Sequence, residues 1–277
     1  MTPSRWVSQV AAQHPLVMNI TNLVAMNFSA NVLLAAGAAP VMSHAREEVE
    51  DMAAVADALV LNIGTLEPAW VEAMHAAARI AAARHIPVVL DPVGVGATPY
   101  RTKVAEELLA TGWMSIVRGN AGELQALGGA RGAVRGVDAA ADALGGEDLA
   151  RWARRHHLMA IATGPVDIAS DGASVVRVAN GHPLMARVTA TGCSLSALVG
   201  ALASVAAPEQ RLEASAAALA LFGVAGEQAA ESAAGPGTFQ PALLDALYSL
   251  SSGPEALDAR ARITSEAARA ASSSALG

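Results

Sequence analysis

Cysteine, lysine and aromatic residues are scarce in this sequence. Cys193 is the only cysteine and Lys103 the only lysine among 277 residues, and aromatic residues make up 3% of the chain. One cysteine excludes an internal disulfide framework and fits a reducing compartment. The lysine lies outside any GxxxxGK[ST] motif, and neither HExxH nor CxxC occurs, which excludes P-loop and zinc-protease functions.

Positive charge and long apolar runs are also lacking. The net charge is −7, and the arginines are scattered without a basic patch for nucleic acid or an anionic membrane. The longest apolar run, residues 195–207, is shorter than the roughly 18 residues that span a bilayer, and the start of the chain has no apolar signal core. We expect a cytoplasmic protein with neither nucleic acid nor membrane as a partner.

Hydrophobic residues, above all alanine, are what the chain has in excess. They make up 53% of the sequence against 16% charged residues, which is ample for a helix-rich core and suits an oligomer interface. We find no repeat and no second domain boundary. The sequence predicts one domain over residues 1–252, followed at 253–277 by an Ala/Ser-rich tail that forms a helix of uncertain length with a frayed end.

Short apolar runs alternate with helical patterns, which predicts a layered α/β fold with a largely parallel sheet. The predicted strands are 16–20, 39–42, 58–63, 88–90, 115–117 and 159–162, with a hairpin of 167–169 and 174–178. One predicted helix begins at the Thr21-Asn22 cap. Further helices are predicted over residues 46–56, 68–84, 147–157, 212–231 and 241–250, and residues 128–146 are predicted to form a loop.

Polar residues follow several of these strands. Asp91 comes directly after strand 88–90 and precedes a Gly-rich loop, a position at which open α/β sheets place ligand chemistry, and it is well placed to bind a metal. The alternative is that Asp91 only caps the following turn. Gly64 and Thr65 end another strand and leave backbone groups free in the crevice.

Arg118, Asn120 and Glu123 follow strand 115–117. Asn120 and Glu123 are three residues apart and share one face of a helix start. A guanidinium, an amide and a carboxylate at one strand end can hold phosphates and Mg²⁺. The alternative is a capping arrangement in which Glu123 reaches back to the Asn120 backbone.

The segment from Thr189 to Ser194 reads TATGCS and runs directly into an apolar helix. A helix N-terminus has unpaired N–H groups and the positive end of the helix dipole, so it binds anions and favours a thiolate at Cys193. The alternative is that Cys193 is a small buried hydrophobic residue beside a tight turn at Gly192.

Five stretches resemble one known family in sequence and in order. They are NITNLVAMNFSANVLLAAGAAPVM, LNIGTL, LDPVGVGAT, RGNAGE and TGCSLSA, within about residues 15–250. On these motifs the chain resembles the 4-methyl-5-(2-hydroxyethyl)thiazole kinases of the ribokinase-like superfamily. The resemblance implies a three-layer α/β/α fold with a mostly parallel sheet and no separate lid domain. It also implies ATP-dependent phosphorylation of the thiazole's primary alcohol in thiamine salvage, with Mg²⁺ and a homotrimer whose sites lie between subunits.

The resemblance also implies residue roles. The family's anion hole maps to Ala190, Thr191, Gly192 and Cys193, with Cys193 where sugar-kinase relatives carry an aspartate base. The ATP contacts map to Arg118, Thr163 and Asn120. The Mg²⁺ ligands map to Asp91 and Glu123, acting partly through water. The thiazole pocket maps to Asn22, Val24, Met42, Gly64, Thr65 and Ala190.

One residue departs from the family pattern, because Ala190 stands where the family motif usually has glycine. Alanine at this position lowers the stability of the chain by roughly 1 kcal/mol if its backbone φ is positive. It has almost no effect if φ is negative. Three rival functions remain open: a related kinase for hydroxymethylpyrimidine or a sugar, a hydrolase that pairs Cys193 with His182 or His44, and a homologue that binds thiazole or nucleotide without turnover.

Overall fold

The computed structural model describes residues 1–128 and 144–269. The strands are β1 (Leu16–Ile20), β2 (Ala39–Met42), β3 (Ala58–Asn62), β4 (Val88–Asp91), β5 (Ile116–Asn120), β6 (Met159–Thr163), β7 (Asp167–Ser170), β8 (Ser174–Val178) and β9 (Ile263–Ala267). The helices are α1 (Pro3–Gln13), α2 (Met26–Ala35), α3 (Val49–Val55), α4 (Pro68–Ala83), α5 (Pro99–Ala110), α6 (Ala121–Leu127), α7 (Gly146–His156), α8 (Thr191–Ser204), α9 (Arg211–Ser232), α10 (Pro236–Ser252) and α11 (Glu255–Arg260). Short 3₁₀ helices cover Pro183–Arg187 and Pro208–Gln210.

The strands of the described residues form one sheet in the order β2-β1-β3-β4-β5-β6-β7-β8-β9. The pairs from β2 to β6 are parallel, and the pairs from β6 to β9 are antiparallel. Parallel strands need helical crossovers that cover both faces of the sheet. The observed sheet therefore confirms the predicted α/β fold with a mostly parallel sheet.

Two hydrophobic cores lie on opposite faces of the sheet. On β3, the alternate residues Ala58 and Val60 face the core shared with α1, α2, α8, α9 and α10. Leu59 and Leu61 face the second core, which is shared with α3 to α7. Because strand side chains alternate between faces, a strand buried on both sides has an apolar run without gaps. The molecule is thus a three-layer α/β/α structure.

Helices α8 and α9 are apolar on nearly all sides because each is enclosed by protein. Helix α8 packs against β1, β3 and β4 on one side and against α2 and α9 on the other. Gly200 of α8 lies so close to β3 that a β-carbon there would be 3.1 Å from Cγ2 of Val60. Within residues 1–128 and 144–269, no helix has the length and apolar character needed to cross a membrane.

Most of the predicted elements are confirmed, including the β7–β8 hairpin. Helices α1 and α5 were not predicted. The helix expected at the Thr21-Asn22 cap begins at Met26 instead, and Ala25 is its N-cap residue. Asn22 does cap backbone groups, since its Oδ1 accepts the N–H groups of Val24 and Ala25, but it does so in the turn that precedes the helix.

The predicted helical tail is wrong over residues 263–267, which form β9. After the short helix α11, this strand pairs antiparallel with β8, with Ile263 opposite Val178. Arg262 anchors the segment through its ion pair with Glu227. The sheet therefore extends past the boundary drawn at residue 252. Residues 270–277 of the predicted tail and 129–143 of the predicted loop lie outside the described residues.

Candidate active site

The carboxyl ends of five neighbouring parallel strands carry polar residues that lie at one edge of the sheet. These residues are Asn22 just after β1, Asn62 in β3, Asp91 in β4, Asn120 in β5 and Thr163 in β6. Helix α8 begins at the same edge, because its first two turns contact this row: Cys193 contacts Asn22 and Ser196 contacts Asp91. In open α/β sheets this edge is where ligands bind.

The first turn of α8 presents free backbone donors. Its first intrahelical hydrogen bond runs from the Ser194 N–H to the Ala190 carbonyl, at 2.9 Å. The N–H groups of Thr191, Gly192 and Cys193 therefore have no acceptor inside the helix. The Thr191 hydroxyl donates to the Val188 carbonyl at 2.7 Å and holds the preceding loop against the helix. This turn has the geometry of an anion site.

Ala190 has a left-handed backbone conformation, with φ 66° and ψ 0°. The conformation decides between the two alternatives for this position, because alanine costs roughly 1 kcal/mol at positive φ relative to glycine. The packing around α8 holds the residue in this strained geometry. Ala190 therefore keeps the loop conformation that glycine would adopt without strain.

Arg118 supplies positive charge beside this helix start. Its Nη2 donates to the Thr163 hydroxyl at 2.6 Å, and its Nη1 lies 3.9 Å from Oδ1 of Asp91. A β-carbon on Gly192 would lie 2.9 Å from the same Nη1, so the guanidinium touches the backbone of the anion-binding turn. The strand ends thus bring the predicted ATP residues Arg118 and Thr163 into direct contact with each other.

Asp91 is fully buried. Its Oδ2 accepts hydrogen bonds from Asn62 Nδ2 at 2.6 Å and from the Ser196 hydroxyl at 2.9 Å. Burial raises the pKa of its carboxyl from 3.8 to about 6, while the nearby Arg118 cation opposes the increase and the Glu123 carboxylate adds to it. Oδ1 is buried without a hydrogen-bond partner among the described residues. Its neighbouring cation is the Arg118 guanidinium, 3.9 Å away, and because Oδ1 accepts no hydrogen bond it keeps lone pairs for a metal ion.

Glu123 forms the capping box that was the alternative reading of the Asn120 and Glu123 spacing. Its Oε2 accepts the Asn120 N–H and Asn120 Oδ1 accepts the Glu123 N–H, each at 2.9 Å. Glu123 Oε1 accepts the Gly94 N–H at 2.9 Å as well. Both carboxylate oxygens therefore bind backbone donors, and each keeps a lone pair for a water or an ion.

Cys193 does not have the low thiol pKa that the helix start led us to expect. Burial raises its pKa above the usual 9.0, and the negative charge of Asp91 raises it further. The hydrogen bond from Asn22 Nδ2 to Sγ, 3.3 Å long, opposes this increase. The expectation of a thiolate is therefore wrong, because burial beside a carboxylate outweighs the favourable end of the helix.

Neither histidine proposed for a cysteine hydrolase is bound to the thiol. The His44 ring packs on Trp70, with ring centroids 4.2 Å apart, and His182 Nδ1 accepts the N–H of Leu184 at 3.2 Å. Within the described residues, the hydrogen-bond partner of Cys193 is Asn22. A nucleophilic cysteine needs an adjacent base, so this arrangement does not favour the hydrolase.

A model of the hydroxyethylthiazole kinase family matches residues 7–253 of the chain. The chain belongs to this family. A hydroxyethylthiazole kinase from Cereibacter sphaeroides is 52% identical over 259 residues, which cover 93% of this chain and 97% of the relative. One from Nitratidesulfovibrio vulgaris is 49% identical over 260 residues, which cover 94% of this chain and 95% of the relative.

Solved structures agree with this assignment. A hydroxyethylthiazole kinase structure from Pyrococcus horikoshii has a TM-score of 0.85 and 41% sequence identity, and the match covers 95% of this chain and 98% of that one. A ribokinase-like superfamily protein from Enterococcus faecalis has a TM-score of 0.63 at 14% identity, with 88% of each chain covered, and shows the shared fold. The ribokinase-like fold implied by the family motifs is therefore confirmed.

Four of the residues predicted to form the thiazole pocket, Asn22, Val24, Gly64 and Thr65, lie together. A β-carbon on Gly64 would lie 2.8 Å from the Asn22 side chain, and the Thr65 hydroxyl accepts the N–H of Leu23 at 3.2 Å. Val24 lies in the same turn and is 60% exposed. Met42 is half-buried at the end of β2, where it is paired with Asn19 of β1, and no hydrogen bond joins it to the others.

Two residues that hold this site together, Asn62 and Ser196, were not predicted from the sequence. Asn62 lies beside Asp91 in the parallel register of β3 and β4 and contacts both Asp91 and Asn22. The sequence signal for Asn62 is its place as the one polar residue at the end of the apolar strand β3. Ser196 is three residues after Cys193, and helical spacing places both on one face of α8.

Metal ligands are few in the described part of the chain. Residues 1–128 and 144–269 contain no group of three or more His, Cys, Asp or Glu side chains close enough to hold an ion. A cation at this edge would therefore have few protein ligands, as is usual for Mg²⁺ bound through phosphates and water.

Proposed function

We propose that this chain transfers the γ-phosphoryl group of ATP to the primary hydroxyl of 4-methyl-5-(2-hydroxyethyl)thiazole in thiamine salvage. The bond from the hydroxyl oxygen of the thiazole side chain to Pγ forms as the bond from Pγ to the β,γ-bridging oxygen breaks. ADP leaves with that oxygen and its electron pair, and the hydroxyl proton passes to solvent water. The observation that carries this proposal is the convergence of free N–H groups, a guanidinium and a buried carboxylate at one strand edge. Phosphoryl transfer depends mainly on such positioning and charge stabilisation.

Ala190, Thr191, Gly192 and Cys193 form the anion hole in this proposal. The N–H groups of Thr191, Gly192 and Cys193, which have no acceptor inside α8, would neutralise charge on the transferring phosphoryl group, and Ala190 sets the turn before them. The raised pKa of Cys193 makes it a weak base at neutral pH. The loose transition state of phosphoryl transfer needs little base strength, so we assign Cys193 chiefly to contact and orientation of the substrate hydroxyl.

Arg118, Thr163 and Asn120 bind ATP in this proposal. Arg118 is held by Thr163 and lies against Gly192, so its charge can reach phosphate oxygens bound at the start of α8. Asn120 ends β5, the strand that carries Arg118, and its side chain caps α6. An arginine held by its neighbours loses little conformational freedom when it binds phosphate.

Asp91 and Glu123 would hold Mg²⁺. Oδ1 of Asp91 accepts no hydrogen bond and lies 3.9 Å from the Arg118 guanidinium, so it keeps lone pairs for a cation. Glu123 fits a contact through water because backbone N–H groups already bind both its oxygens. When bound, Mg²⁺ would neutralise phosphate charge during transfer. The Asp91 carboxyl must be ionised to serve as a ligand.

Asn22, Val24, Met42, Gly64, Thr65 and Ala190 contact the thiazole in this proposal, within a homotrimer whose sites lie between subunits. Leu23 and Val24 are 64% and 60% exposed beside the site, which supports a neighbouring subunit there. Two surface cavities of the described residues, about 410 and 210 Å³, are lined by other residues.

ADP release with ATP, Mg²⁺ and hydroxyethylthiazole tests this proposal, with hydroxymethylpyrimidine and ribose as alternative acceptors. We expect turnover that depends on the thiazole, and sedimentation at the mass of a trimer. Turnover with either alternative acceptor alone would assign a related kinase. Thiazole binding without ADP release would instead assign a binding protein whose anion hole is impaired at Ala190.

A further inference from the structure

Asn62 joins the Asp91 carboxylate to the thiazole side of the site. Its Nδ2 donates to Asp91 Oδ2 at 2.6 Å. Its Oδ1 accepts two hydrogen bonds, from Asn22 Nδ2 at 2.8 Å and from the Gly64 N–H at 2.9 Å. All three partners lie at the ends of adjacent strands or just beyond them, and the side chain is 1% exposed.

The direction of the Asn62 amide is determined by its partners. An ionised carboxylate can only accept, so the NH₂ group must face Asp91. A backbone N–H can only donate, so the oxygen must face Gly64. The reversed amide would place its NH₂ against two donors and its oxygen against a carboxylate, which would lose every bond in a buried position.

Asn22 takes its direction from the backbone of its own turn and from Asn62. Its Oδ1 accepts the N–H groups of Val24 and Ala25, at 3.1 and 3.0 Å. Its Nδ2 carries two hydrogens, of which one binds Asn62 Oδ1 and the other points to Sγ of Cys193 at 3.3 Å. The sulfur of Cys193 is therefore held as a hydrogen-bond acceptor.

We propose that Asn62 is a positioning residue that couples the Asp91 carboxylate to Cys193 through Asn22. Asn22 donates in two directions, to Sγ of Cys193 and to Oδ1 of Asn62, and Asn62 donates onward to Asp91. Asn62 touches neither ATP nor thiazole in the proposed reaction, so its effect reaches the reacting hydroxyl through the thiol, both by way of Asn22 and from its own nearby amide. Only the kinetic part of the test rests on the proposed function.

The test compares Asn62→Leu and Asn62→Ala with the wild-type chain. Asn62→Leu keeps the branched shape of the side chain in a slightly larger volume and removes every hydrogen bond. Asn62→Ala serves if leucine prevents folding. Because Cys193 is the only cysteine, the rate of alkylation by iodoacetamide between pH 7 and 10 reports this thiol alone. This measurement needs no turnover.

Without Asn62, the Asn22 NH₂ group loses the acceptor that fixes one of its hydrogens, and the sulfur loses the support of the Asn62 amide. We expect the alkylation midpoint to move up by about half a pH unit or more, which is about a threefold lower rate at neutral pH. We also expect kcat to fall roughly tenfold while KM for ATP changes less than twofold.

Asn180→Ala is the matched control. Asn180 is also buried and also joins separate segments, since it donates to the Arg260 carbonyl and accepts the Arg262 N–H, but it lies by β8 and β9. We expect this variant to be less stable with an unchanged alkylation profile. A folded Asn62 variant with the wild-type alkylation profile would overturn the proposal. If the Asn62 variants shift the alkylation profile but the wild-type chain shows no kinase activity, the result would support the coupling and reject the proposed function.

Discussion

The guanidinium of Arg118 lies against the backbone of Gly192, and a β-carbon on Gly192 would be 2.9 Å from Nη1 of Arg118. Arg118 is only 9% exposed and is held by Thr163, so it has little room to move away. The close approach of a cation to a helix start explains why this position needs a residue without a side chain. Single substitutions at Gly192 therefore test the contact between Arg118 and the start of α8.

Gly192→Ala should impair phosphoryl transfer far more than folding. The new methyl group displaces the guanidinium from the anion-binding turn, and we expect a loss on the order of 10²-fold in kcat/KM. ADP-release kinetics and urea unfolding measure the two effects. Gly237→Ala is the matched control, because Gly237 is also the second residue of its helix and has open space around it. Equal activity in both variants would contradict the contact.

Ala190→Gly should stabilise the chain. Glycine relieves the positive φ of 66°, and we expect the free energy of unfolding to rise by up to about 1 kcal/mol, with activity retained or increased. Urea unfolding measures the change. Ala54→Gly, on the exposed side of α3, should have the opposite sign and lower the free energy of unfolding by about 1 kcal/mol. A loss of stability in both variants would show that Ala190 is unstrained.

Glu123→Gln should weaken Mg²⁺-dependent turnover and also lower stability. Glutamine has one carbonyl oxygen, so its NH₂ group would face one of the N–H groups of Asn120 and Gly94. We expect a loss of about 1 kcal/mol from the broken capping box, and a larger Mg²⁺ requirement. Urea unfolding and Mg²⁺ titration of ADP release separate the two effects.

Glu227→Gln is the control for that experiment. Glu227 accepts the Gly181 N–H and pairs with Arg262 far from the site, so its loss should lower stability without changing the Mg²⁺ requirement. If Glu123→Gln shows the wild-type Mg²⁺ curve, the metal role of Glu123 is wrong and the residue serves only the capping box.

Asp167 should make stability depend on pH. Burial raises the pKa of its carboxyl from 3.8 to about 6, although the Gly164 N–H and the Arg118 cation oppose the increase. The folded chain therefore holds a proton that the unfolded chain releases, and stability falls as pH rises from about 4 to about 6. The raised pKa of Asp91 also makes stability fall over this pH range. Asp167→Asn should therefore remove only part of the fall in stability.

Urea unfolding at pH 4, 5 and 6 measures this slope. The control is Asp171→Asn, in the turn of the same hairpin, where the exposed carboxyl accepts the N–H groups of Ala173 and Ser174. We expect the control to keep the wild-type slope. An unchanged slope in Asp167→Asn would show that Asp167 is not the titrating group.

Elements with a strong hydrophobic pattern were predictable from the sequence, and those stabilised by distant contacts were not. Strands β1 to β4 and β6 are largely apolar runs, and the polar residues that end β3 to β6 mark one sheet edge. In contrast, β9 is largely exposed and polar, and it is a strand because β8 offers it a free edge. Helix α5, with only three buried residues, likewise lacks a clear apolar stripe.

The sequence by itself determined the fold class, the family and the identity of most candidate site residues, because apolar alternation and short motifs are local properties. The tertiary structure decided how those residues act on one another. It placed Ala190 at positive φ, gave Glu123 its capping role and buried Cys193 beside a carboxylate, which raises the thiol pKa. It also revealed Asn62 between Asp91 and Asn22. Burial, charge and hydrogen-bond direction depend on residues far apart in the chain, so no local pattern could supply them.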